Sequence, residues 1–195
     1  MKAKLSILVI LMQFLSFAGT SGNVLSENAA AEEIIAAARS MLPRDIELKG
    51  RIILRNRKGI PQLERAYTLK RVGGATEIDV DDETLSRTDV TRDDLALAYL
   101  EWKDVAFDKE REGESVNGQT CAVLLLKNGE RSVRVWVDRK TGALMQAEEL
   151  EKGEPRRRLW GTRIKKFGER WMANVMEVET LGSGHRTKIT VEEVK

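Results

Sequence analysis

Across residues 132–150 apolar and polar positions alternate: Val133, Val135 and Val137 fall on one side, Arg134, Trp136 and Asp138 on the other. A period of two puts the three valines on one face of a β-sheet. Residues 138–142 then reverse the chain. Asp138 stands early in that turn, where its side chain hydrogen-bonds local backbone, and Gly142 stands where a positive φ is needed before a second strand starts at Ala143. The alternation recurs over 155–166, 170–181 and 186–194, separated by glycine-bearing turns, so the C-terminal third predicts an antiparallel meander.

Upstream the period changes twice. Residues 26–42 read as a helix, capped by Ser26 and stopped by Pro43, with Ile34, Ile35, Ala38, Met41 and Leu42 on one face. Strands follow at 46–56, 63–72 and 75–80, joined by turns at 57–59 and 73–74, and the acidic stretch 79–83 leads into a polar connection. Over 91–102 the spacing lengthens to nearly four: Leu95, Ala98 or Tyr99, and Trp102 share a helical face behind a Thr91 cap with Asp93 and Asp94 in the first turn. A charged strand is expected over 104–115, a turn at 116–118 and an apolar strand over 119–126. Helix, three strands, helix and about seven strands predict an α+β fold: a curved antiparallel sheet, an open half-barrel, with helices covering an apolar concave face.

Residues 1–22 do not fit that pattern. Lys2 and Lys4 precede an apolar run over 5–17 and small residues over 18–22, the layout of a signal peptide cleaved near Gly22, and the run is short for a membrane span. No cysteine closes the run, so an N-terminal lipid-modified cysteine is not expected. The expected mature chain is one exported, periplasmic domain over 23–195. Lys and Arg total 33 against 31 Asp and Glu, interspersed, which argues against nucleic acid as a partner. Cys121 is the single cysteine, so no intramolecular disulfide is available and a buried thiol is expected.

Catalytic chemistry finds little footing. His185 is the only histidine and sits in a turn, which leaves no metal cluster or triad. Glu148 with Glu149, and Glu192 with Glu193, are adjacent on strands and point to opposite faces, so they are expected to be solvated rather than to share a proton. Glycine pairs are turn material and open no phosphate-binding helix. No catalytic residue, metal or cofactor is therefore expected, and the chain does not read as an enzyme. The one local charge bias is basic: Arg156, Arg157 and Arg158, followed by Arg163, Lys165 and Lys166.

Large apolar side chains are abundant on the strands, and a single sheet with two helices has more concave apolar face than those helices fill. A lipid pocket is the functional reading. Its expected lining is Val133, Val135, Met145, Trp160, Trp171 and Met176, covered by the helical faces carrying Ile35 and Leu95. A β-bulge at any hairpin would exchange inward and outward sets.

Five pieces in order, Asp94-Leu95-Ala96 with Trp102, the run 116–121, the strand and turn 135–142, the run 168–172 and the run 184–187, resemble the exported LolA-like outer-membrane lipoprotein-sorting proteins. The resemblance implies an open half-barrel with a helical lid over a cavity that holds acyl chains of lipoproteins or lipids. It also implies passage toward the outer membrane between membrane-associated donor and acceptor proteins. Burying one methylene is worth about 0.8 kcal/mol, so a sixteen-carbon chain needs roughly 10 kcal/mol of shelter. The sequence departs from the family in its shorter, more charged 79–92 region, and the family's lid-contacting arginine matches no position by sequence. The alternative is a lipid-sensing regulatory or interaction module of the same architecture.

Overall fold

The structure is a computed structural model that describes Leu25, Ser26 and residues 28–195, the side chains of Arg170 and Trp171 excepted. The signal-peptide expectation for residues 1–22 lies outside the described residues. Along the chain run α1 (Ala31–Ser40), β1 (Ile46–Arg55), β2 (Pro61–Val72), β3 (Ala75–Asp79), α2 (Asp82–Thr88), α3 (Arg92–Ala96), β4 (Asp104–Phe107), β5 (Ser115–Val116), β6 (Gln119–Asn128), β7 (Arg131–Asp138), β8 (Leu144–Glu151), β9 (Glu154–Phe167), β10 (Arg170–Thr180) and β11 (Arg186–Val194). Single 3-10 turns stand at Ala98–Glu101 and Lys109–Arg111. The strands form one antiparallel sheet in the order β3-β2-β1-β11-β10-β9-β8-β7-β6-β4, with β5 beside β6. It ends at β3 and β4 and does not close, the open curved sheet with helices that the pattern predicted.

Register explains the two faces. Leu124, Val135, Ala147, Leu159, Val178 and Thr187 stand directly opposite one another from β6 to β11, and all six are buried. This row is the floor of the concave face, and the helices cover it. One residue along each strand, a second row runs Arg134, Glu148, Arg158, Glu179 and Arg186 across β7 to β11 on the convex face. Opposite charges directly across a sheet attract, so this row is a cross-strand ion ladder. Glu148 is 2% exposed, between Arg134 at 3.4 Å and Arg158 at 2.8 Å. The expectation that it is a solvated acid is therefore corrected: Arg134 also pairs with Asp108, at 2.6 Å, and this short segment shields the ladder from water.

The helices differ in detail from the expectation. Ala30, not Ser26, caps α1, with the Glu33 carboxylate accepting the Ala30 amide at 3.3 Å. Glu32 and Glu33 in its first turn and Arg39 in its last complement the helix dipole. Its buried residues Ala31, Ile34, Ile35 and Ala38 face β4 and β7. The polar connection after β3 contains α2, capped by Asp81, which accepts the Thr84 amide at 2.7 Å. The expected helix over 91–102 is broken: α3 ends where Leu97 turns left-handed at φ 52, and the chain continues as a 3-10 turn. Of the expected strand 104–115, only β4 and the first residue of β5 form: the Arg111 amide bonds back to the Asp108 carbonyl at 3.1 Å and curls 109–111 into a 3-10 turn, while the Asp108 carboxylate is taken by Arg134.

Cys121 lies on the convex side in a small cluster with Val123 and Trp136, packed by Val116 and Met145 and fully buried. The Trp136 indole donates to Glu114 at 2.9 Å, which draws the segment before β5 over this cluster. Burial pushes the Cys121 thiol up from its ordinary range. A bulky thiol reagent is expected to label folded protein at least tenfold more slowly than urea-unfolded protein. Equal rates in the two states, followed by mass spectrometry, would show that the cluster is open.

Candidate functional site

The site is the boundary between the concave floor and the helical cover. Ile34, Ile35 and Ala38 of α1, Leu95 of α3, and Tyr99, Leu100 and Trp102 join Leu124, Val133, Val135, Ala147, Leu159 and Ile189 in one continuous core. Polar clips, not a continuous apolar seam alone, tie the parts of this cover to one another and to the sheet. Arg39 donates to the Leu100 carbonyl at 3.0 and 2.8 Å and pairs with Glu101 at 2.9 Å. Arg71 of β2 reaches the Ala96 carbonyl at 2.9 Å. Arg131 pairs with Asp93 at 2.8 Å and lies over the Trp102 ring at 5.2 Å. Thr187 of β11 donates its hydroxyl to the Thr88 carbonyl of α2.

Arg157 makes the most complete of these clips. It sits on the concave side of β9 opposite Glu149, to whose carboxylate it donates at 3.0 and 2.8 Å. Its other arm donates to the Asp89 carbonyl at 2.8 Å and to the Asp94 carboxylate of α3. Asp94 is 4% exposed and accepts in addition the Thr91 amide and hydroxyl, each at 2.8 Å, which is the capping box of α3. Burial pulls the Arg157 guanidinium down, but Asp94 and Glu149 outweigh it and hold its pKa above the ordinary value. The Tyr99 hydroxyl is buried with no hydrogen-bond partner and its pKa is pushed well up by burial. Beside it lies a cavity of about 10 Å³, lined among others by Asp94, Val133, Ala147 and Arg157. That is room for one water and not for an acyl chain.

The structure thus places Ile35, Leu95, Val133 and Val135 together in the core, with Met176 packed on its edge. It does not bring Met145 or Trp160 there. Met145 is the extra residue of a bulge: Trp136 pairs with Gln146 while Val137 pairs with Leu144, so Leu144 turns inward and Met145 outward. Trp160 follows inward Leu159 and alternation sends it to the convex face, under the Arg186 guanidinium at 5.1 Å. The Trp171 side chain lies outside the described residues. Arg157 was missed as a site residue because its partners are 63 and 68 positions away in sequence. Its place in the basic run 156–158 marked a charge bias but named no partner.

Gly142 fixes how the cover meets the sheet. At φ 74 it takes a conformation that favours glycine, and a Cβ there would lie 3.2 Å from that of Ala37 on α1. The β7–β8 turn is therefore pressed against the first helix. Among the described residues no group of three or more His, Cys, Asp or Glu is arranged to hold a metal, and no helix is long and apolar enough to cross a membrane.

Three solved structures share this arrangement. A LolA superfamily protein from Nitrosomonas europaea is 16% identical over 86% of this chain and 93% of its own, with a TM-score of 0.66. A domain from Vibrio parahaemolyticus described as a candidate outer membrane lipoprotein-sorting protein is 17% identical over 85% of this chain and 91% of its own, TM-score 0.63. A DUF1329 family protein from Desulfovibrio piger is 14% identical over 85% and 92%, TM-score 0.61. No curated protein matches the chain in sequence. The chain has the LolA-like fold, and it belongs to the family, described as "Uncharacterized protein", whose model matches residues 69–195.

Proposed function

We propose that this protein is a periplasmic carrier that takes acyl chains of lipoproteins or lipids between its sheet and its helical cover and moves them toward the outer membrane. Residues 1–22 serve as its cleaved export signal, and membrane-associated proteins donate and accept the cargo. The observation that carries this reading is a broad apolar floor, shared by six strands, whose cover consists of short helices clipped on by side chains. Such a cover lifts without breaking a strand pair. The described conformation is closed, and cargo enters when the clips of α3 and the following turn release. The lining is then the inward set Ile35, Leu95, Val133, Val135 and Met176, with Leu144 and Leu159 added by the register.

A fluorescent fatty-acid probe is expected to bind the detergent-free protein saturably and to be displaced by unlabelled palmitate. Leu95→Asp puts a charge on the cover where it faces the apolar floor. It is expected to weaken the probe at least tenfold while the circular dichroism of the sheet is retained. A folded wild type that binds no acyl probe would overturn the carrier reading and leave the partner-binding module of the same fold.

A further inference from the structure

Strands β9 and β10 outrun their neighbours. β8 accompanies β9 only as far as Gln146 opposite Trp160, and β11 accompanies β10 only as far as Thr190 opposite Val175. Residues 161–174 therefore extend as a two-stranded arm, paired with each other and, among the described residues, with no further strand, while Phe167 and Met172 pack it back on the core and leave its cations outward. Arg163, Lys165 and Lys166 are exposed along it, against a single acid, Glu169, which pairs with Lys166 at 3.2 Å. Between the cations Ile164 is 69% exposed.

Antiparallel pairing decides which turns share an end of the sheet. The tip of the arm lies at the end that carries the β7–β8 turn, the β2–β3 turn and the link from α1 to β1. Two of the other exposed large apolar side chains, Met41 at 54% and Val72 at 59%, belong to that end, as do the exposed cations Arg44 and Lys140. The Gly74 amide bonds to the Arg44 carbonyl at 3.1 Å, and Ala37 abuts Gly142, which ties these segments together. Aliphatic side chains interleaved with cations at one end suit a particular partner. Lysine and arginine stems lie along apolar surface while their heads stay in the polar layer, and each cation near an anionic lipid surface strengthens partitioning about fivefold. Cations along an unpaired strand edge also discourage another protein's strand from adding to it.

We propose that this end of the sheet docks on an anionic phospholipid bilayer, with the 161–174 arm as its principal contact. The proposal goes beyond the carrier reading, and acyl-probe binding in vesicle-free solution reports on that reading separately. The full chain is sedimented with vesicles of phosphatidylcholine alone or mixed with phosphatidylglycerol, at low and high salt. Binding is expected to the mixed vesicles only and to fall with salt. Arg163→Gln with Lys165→Gln and Lys166→Gln is expected to bind about 100-fold more weakly, and Ile164→Asp about tenfold more weakly. All four positions are exposed, so circular dichroism should be unchanged. Lys58→Gln with Lys127→Gln and Lys152→Gln removes the same charge from the opposite end and is expected to bind like the unaltered protein. Equal weakening by that control, no preference of the unaltered chain for the mixed vesicles, or salt-sensitive capture of an acidic protein without vesicle binding would each overturn the proposal.

Discussion

Glu148→Leu is expected to be among the most destabilising single substitutions in the chain, lowering unfolding free energy by about 3–5 kcal/mol. The carboxylate is 2% exposed and sits between Arg134, itself only 11% exposed in its side chain, and Arg158. Removing it leaves the Arg134 charge buried with Asp108 as its remaining partner. The loss follows from a buried cation left with one carboxylate in place of two more than from the intrinsic worth of the ion pair, because taking both charges out of water offsets most of their attraction. Replacing the whole cluster, Arg134→Met with Glu148→Leu and Asp108→Asn, leaves no buried charge unpaired and is therefore expected to cost less than the single change. Urea titration of the three proteins gives the comparison, and at this chain length the single variant should melt roughly 10 °C lower. A loss under about 1 kcal/mol for Glu148→Leu would mean that solvent reaches the ladder.

The contrast between Glu148 and Glu149 shows what alternation alone supplies. The sequence places the two acids on opposite faces, and they do lie there, one in the convex ladder and one against Arg157. The burial of Glu148 and the part-burial of Glu149 were not legible, because each depends on a non-local cover: Asp108 on one side, α3 on the other. The hairpins of the C-terminal third and the Thr91 cap with Asp94 were legible, since each is written in a few neighbouring residues. Met145 was not, because a bulge adds one residue and inverts everything beyond it, and nothing in the run from Gly142 to Gln146 marks which residue is extra. The α2 helix is an intermediate case. Asp81 with Thr84 three residues on is a capping pattern, but a seven-residue helix with a mostly polar sequence gives little apolar period to accompany it.

Arg157→Met is expected to open the cover without dissolving the sheet. The side chain joins β9 to α3 and the preceding loop through Glu149, Asp94 and the Asp89 carbonyl, and charge-assisted hydrogen bonds of this kind are worth about 1.5–3 kcal/mol each. Methionine keeps much of the apolar stem, so the floor stays packed, while Asp94 retains its Thr91 bonds and regains water when α3 lifts. If the closed form dominates and cargo enters only the open one, apparent acyl affinity is scaled down by the open fraction. Weakening the closed form by about 2–3 kcal/mol should then tighten the acyl probe by roughly 30–150-fold, up to the limit where the open form is fully populated. Hydrogen exchange separates this from plain destabilisation. The Leu95 amide, bonded to the Thr91 carbonyl at 3.3 Å, should exchange faster by a similar factor, while the Val135 amide in the middle of β7 keeps its protection. Arg157→Lys should resemble the methionine variant, because one ammonium cannot hold a carboxylate on each side and a carbonyl as the planar fork does. If Leu95 and Val135 lose protection together and the probe binds no more tightly, Arg157 is a member of the global core, and release of the cover must lie with Arg71 and Arg131 instead.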